Sequence, residues 1–124
     1  MSVKIKRVFT NNNSVYIIDD ENNLYVSGNN KNGRLGINSP LDFVKKITKV
    51  EDESLVNNVK SIIFDDKVDI NYSLVRLITC DNKLYIAGSS GDKEYKTWIS
   101  SDTVYTKEQT SRFLYFQFDD ESQY

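Results

Sequence analysis

Leu24-Tyr25-Val26-Ser27-Gly28-Asn29-Asn30-Lys31-Asn32-Gly33-Arg34-Leu35-Gly36 is the stretch around which the rest of the chain is arranged. Its opening, Leu24 to Ser27, is a short β-favouring run that delivers the backbone to Gly28. A polar, turn-rich segment follows and ends in the tight step Gly33-x-Leu35-Gly36. Three glycines so close together point to backbone where a Cβ would clash, with φ above zero. Leu35 is the apolar anchor that can pin this turn against a core, so the loop is expected to be ordered and packed. The signal is architectural, and no reaction is legible in it.

Working outward, residues 3–9 alternate apolar and basic at their start, as a strand with one wet face does. Thr10 to Ser14 is a polar turn containing three consecutive Asn. Val15 to Ile18 is the next strand, Asp19 to Asn23 a connection, and Leu24 to Ser27 the antiparallel partner. The pattern returns 60 residues later: Leu74 to Thr79 matches the earlier strand, and Leu84-Tyr85-Ile86-Ala87-Gly88 matches Leu24-Tyr25-Val26-Ser27-Gly28. Between them Asp81-Asn82-Lys83 reads as a tighter turn than its counterpart. Val59 to Phe64 resembles Ile5 to Thr10 at an offset of 54, which places an insertion within Asp65 to Tyr72. Arg112 to Phe118 is a third echo. A recurring unit of this length means stacked supersecondary modules.

The central strands are apolar on both faces, with Val15 and Ile17 on one and Tyr16 and Ile18 on the other. A sheet with one wet face alternates more cleanly, so these sheets are expected to be covered on both sides. The prediction is an all-β chain of at least six strands in two propeller-blade-like antiparallel sheets that do not close a ring. Residues 1–124 form a single domain with repeat-like units at 3–58 and 59–110, and 111–124 is a terminal strand or the start of a third unit. Thr97 to Gln109 reads equally as a short helix or as a strand with a long loop.

Composition agrees with this class. The chain has 124 residues, enough for one ordinary core, and its 14 Tyr and Phe against a single Ala favour strands over helices. The formal net charge of −2 argues against a nucleic-acid or anionic-membrane surface. Lys45, Lys46 and Lys49 read as a solvated strand face. One cysteine, Cys80, excludes an intramolecular disulfide and suits a reducing compartment. No run approaches the roughly 18 apolar residues of a spanning helix, and the reading is of a soluble intracellular protein.

With these residues in place, a resemblance is visible. Gly28-x-Asn30-x-x-Gly33-x-Leu35-Gly36, preceded by Leu24-Tyr25, resembles the signature of the regulator-of-chromosome-condensation repeat. Pro40 and Phe43 to Ile47 resemble that repeat's linking strand, and Val59 to Ile63 the opening strand of the next. Ser27 stands in place of the usual Trp and Arg34 in place of the usual Gln. In the second unit Gly88 is kept, Ser90 replaces Asn, and the Gly-x-Leu-Gly step is absent. The resemblance implies four-stranded blades, of which a closed propeller needs about 4–8. Two units therefore imply a partial array. The family's exchange activity on small GTPases uses the complete ring and is not carried over.

Candidate chemistry is sparse. The pairs Asp19-Asp20, Asp65-Asp66 and Asp119-Asp120 each follow a strand end, where Asp commonly initiates a turn. The glycines at 28, 33 and 36 lack the Lys-Ser/Thr that a phosphate loop requires. The chain has no His, so the commonest proton shuttle is missing. Cys80, beside Ile78 and Thr79, reads as a buried structural thiol. Tyr95 and Trp98 read either as an interaction hot spot or as plain packing. No catalytic, cofactor, metal or small-molecule site is expected. A protein partner or self-association is, because two blades should leave one apolar face uncovered at each end. Two functions of different class follow: a non-catalytic protein-interaction module, or a structural component that self-associates or docks into a larger assembly.

Overall fold

The computed structural model describes residues 3–64, 74–90 and 93–103. They form eight strands: β1 (Ile5–Asn11), β2 (Ser14–Asp19), β3 (Leu24–Asn29), β4 (Phe43–Lys49), β5 (Val59–Phe64), β6 (Val75–Thr79), β7 (Leu84–Ser90) and β8 (Lys93–Ser100). Two 3₁₀ turns, Lys31–Gly33 and Ser101–Thr103, complete the regular structure. The strands make two four-stranded antiparallel meanders, β1-β2-β3-β4 and β5-β6-β7-β8. The all-β, two-sheet expectation is met, and of the two readings of Thr97 to Gln109 a strand describes its first four residues. The end of that stretch, the third echo at 112–118, Asp65-Asp66 and Asp119-Asp120 lie outside the described residues.

The internal repeat extends to irregularities that a casual likeness would not share. A register shift between Ile5 and Arg7 on β1 recurs between Val59 and Ser61 on β5. Another between Val26 and Gly28 recurs between Ile86 and Gly88. Both glycines have positive φ, 94° and 102°. For Gly28 the reason is steric, because a Cβ there would run into the Asn13 carbonyl oxygen. The last strands match at an offset of 51, with Thr48 on Ile99 and Val44 on Tyr95.

The two connections that the sequence made unequal have the same length. Thr79 occupies the place of Asp19: the Asp19 N–H donates to the Asn23 carbonyl, and the Thr79 N–H donates to that of Lys83. Asn22 and Asn82 then supply the left-handed step, at φ 65° and 64°. β6 therefore ends one residue before Cys80, which is exposed, contrary to expectation. Cys80 is a turn residue whose N–H donates to the Asn58 carbonyl at 2.8 Å, as that of Asp20 does to Lys4.

The core lies between the sheets. Alternate side chains of a strand point to opposite faces, and Tyr16, Ile18, Leu24 and Val26 form the inner face of the first sheet. They meet Val59, Ile62, Leu77, Ala87 and Trp98 of the second. The Tyr16 ring stands 5.5 Å from that of Phe64 and 6.4 Å from that of Trp98. The chain between the sheets is held by Asn23, whose Nδ2 donates to Asn57 Oδ1 while its own Oδ1 accepts the Asn57 N–H.

Candidate functional site

The signature loop is a clasp across the two sheets. Asn30 is its hub: buried, it donates from Nδ2 to the carbonyls of Leu41 and Ser39 and accepts the Leu35 N–H on Oδ1 at 3.1 Å. Leu35 is fully buried in the core cluster. The N–H of Gly33 donates to the Asn30 carbonyl and that of Gly36 to the Gly33 carbonyl. The turn so formed lies on β8. A Cβ on Gly33 would stand 2.8 Å from Lys96 Cα, and one on Gly36 would penetrate the Trp98 indole. Beyond the clasp, Ile37 bridges Thr97 and the Asn38 N–H donates to the Lys96 carbonyl at 2.8 Å.

Gly28, Asn30, Gly33, Leu35 and Gly36 are thus brought together as one device. Gly88 holds the equivalent of the Gly28 position in the second sheet. Of the two candidate contact residues, Tyr95 is half-buried on β8. Trp98 is 4% exposed and wedged between Tyr16 and Gly36, which is packing and leaves no surface for a partner. Its indole N–H has no hydrogen-bond partner among the described residues.

Two polar anchors accompany the clasp. The buried Tyr16 hydroxyl donates to the Arg34 carbonyl at 2.5 Å, and burial pushes its pKa well above the ordinary tyrosine value. Tyr16→Phe removes this buried donor from the carbonyl. It should cost roughly 1–3 kcal/mol in urea unfolding, and a loss below a few tenths would show that the carbonyl finds another donor.

At the β2–β3 turn, burial opposes ionisation of Asp19. The N–H groups of Asn23 and Glu21 and the Tyr25 hydroxyl outweigh it and hold the carboxyl below its ordinary value. A depressed carboxylate stabilises the fold above the unfolded value of about 3.9, and this contribution is lost as pH falls through the lower folded value. Asp19→Ala should therefore cost roughly 1–3 kcal/mol at neutral pH, with the gap to the parent narrowing below about pH 4. A gap independent of pH would remove the charge from the explanation.

The outer face of the first sheet is the open surface. Ile5, Val8 and Ile47 are 61%, 53% and 56% exposed, and Val15, Ile17 and Tyr25 between them are half-buried. Strand pairing puts Val8, Ile17 and Tyr25 in one row. Lys45, Lys46 and Lys49 are exposed on the same edge strand. The far face of the second sheet is different: Ile78, Leu84 and Ile86 are at most 2% exposed. An uncovered face therefore exists at the first sheet and not at both ends. Sequence reasoning expected an uncovered face at each end and read Tyr95 and Trp98 as a hot spot or as packing, but it did not name Ile5, Val8 and Ile47 as the residues that line the open face. Aligning Ile5, Val8 and Ile47 with the second unit was the signal that reveals it.

The geometry defines an all-β pair of stacked, blade-like sheets joined by a glycine clasp, with one apolar face open. No family model matches the chain, and no curated protein matches it in sequence. Among the described residues no helix is long and apolar enough to cross a membrane.

Proposed function

We propose that the chain is a non-catalytic protein-interaction module built from repeats like those of the regulator of chromosome condensation. The observation that carries this reading is the apolar outer face of the first sheet, on which Ile5, Val8 and Ile47 are exposed and Val15, Ile17 and Tyr25 half-buried. Apolar area is costly to hydrate, and a patch of a few hundred Å² is the size of the largest apolar patches on ordinary single chains, which are often functional. Apolar centres with polar rims are the usual anatomy of a protein interface, and the β4 lysines supply one rim here.

The test is capture from an extract of the cells that make the protein, using the parent chain and a Val8→Asp/Ile47→Asp variant side by side. Both positions are more than half exposed, so the variant should fold. A protein retained by the parent and lost from the variant supports the module. Equal retention, or none, overturns it. Light scattering on the purified chain separates the rival reading, in which the chain is a self-associating structural component.

A further inference from the structure

Resting on the proposal that this face binds a protein, we infer that its occupant is a four-stranded blade of the same kind, carried by a partner polypeptide and docked as the first sheet docks on the second. The chain itself shows what covers such a face. By strand register and its matching irregularities, Ile5, Val8 and Ile47 of the first unit are the equivalents of Val59, Ile62 and Trp98 of the second. The former are 61%, 53% and 56% exposed, whereas the latter are 0%, 4% and 4% exposed. What buries the second set is the inner face of a blade, Tyr16 and its neighbours, with a glycine clasp laid across the last strand. The outer face of the first sheet is the same surface without that neighbour.

Charge supports the match. In the observed packing the linker residues Glu51 and Asp52 line one cleft with Thr97 of β8. The equivalent of Thr97 on β4 is Lys46, flanked by Lys45, and neither has an ion-pair partner among the described residues. A blade arriving in the same pose, with an acidic linker like this chain's own, sets carboxylates beside these lysines.

A second copy of the chain is a poor occupant. Its first inner face is already covered by its own second sheet, and the far face of that sheet is buried. Four strands at about 4.8 Å and six residues at about 3.3 Å give a flat face of roughly 400 Å² per side. That falls short of the roughly 1,200 Å² in total that stable complexes bury. The occupant therefore needs the clasping loop as well as the face.

The probe is a tandem chain in which a copy of residues 3–58 precedes the complete protein, so that an added blade meets the open face in the order of the natural pair. Amide exchange over Phe43–Lys49 should slow at least tenfold relative to the parent, and apolar dye binding should fall severalfold. Ile47→Asp in the acceptor unit should restore both, and Lys45→Glu/Lys46→Glu should restore them partly. Unchanged β4 exchange, or indifference to Ile47→Asp, overturns the inference. So does a parent chain whose light scattering shows a dimer with β4 already protected, which assigns the face to a second copy. A tandem that docks while the cell extract yields no partner overturns the function and leaves the geometry standing. A captured partner with a tandem that fails to dock does the reverse.

Discussion

Gly36→Val should lower the stability of the fold by roughly 2–6 kcal/mol, read as a large drop in the urea midpoint or as failure to fold cooperatively. Two independent penalties combine. Gly36 has φ of 70°, where a β-branched residue is strained by about 1–3 kcal/mol. Its new side chain would also enter the volume of the buried Trp98 indole, and forced overpacking adds about 1–3 kcal/mol. Neither can be relieved cheaply, because the Gly36 N–H is tied to the Gly33 carbonyl and the next residue bridges Thr97. A midpoint within a few tenths of a kcal/mol of the parent would mean that the clasp is not seated on β8. Gly91, the natural contrast in the second unit, lies outside the described residues.

Trp98→Ala should cost a similar amount, about 3–5 kcal/mol for removing a large buried aromatic, but with a different signature. Trp98 belongs to the second sheet and touches the first at Tyr16 and at the clasp. Its removal empties the seam between sheets whose own strand ladders are intact. The denaturant transition should broaden, as the sheets lose their common cooperativity. A sharp transition with the parent's slope would show that the remaining core couples the sheets without it. Since the chain has a single Trp, the parent's fluorescence reports on this seam directly, and it should stay shielded from an aqueous quencher until global unfolding.

Much of the fold was legible because local chemistry and the repeat agree. Leu24 and Leu84 begin equivalent strands, Gly28 and Gly88 end their regular pairing, and the Gly33-x-Leu35-Gly36 step is the packed turn its composition implied. Cys80 was misread because burial was inferred from its apolar neighbours, although its equivalent in the first unit is the turn residue Asp20. The second turn was misread because Asp81-Asn82 looks self-contained, whereas Thr79 takes the place of Asp19 in capping it. The fate of Trp98 depends on a strand passing beneath a loop some 60 residues away, a contact no local window holds. An open face followed from the count of two blades, but which residues line it emerged only when the apolar positions common to both units were found covered in one and not in the other.

The turns carry a last consequence. Every described non-glycine residue with positive φ is an asparagine: Asn12, Asn13, Asn22, Asn32, Asn38, Asn57 and Asn82. Asparagine tolerates this conformation, but its side-chain amide can be attacked by the following backbone nitrogen, most readily when glycine comes next and offers no hindrance. Asn32 is followed by Gly33, in the middle of the clasp. In the closed clasp the Gly33 nitrogen is engaged with the Asn30 carbonyl at 3.0 Å, so cyclisation must wait for the turn to open. Slow deamidation of Asn32, followed over storage by mass, therefore measures the fraction of time the clasp spends open, because opening and closing are fast beside the cyclisation itself.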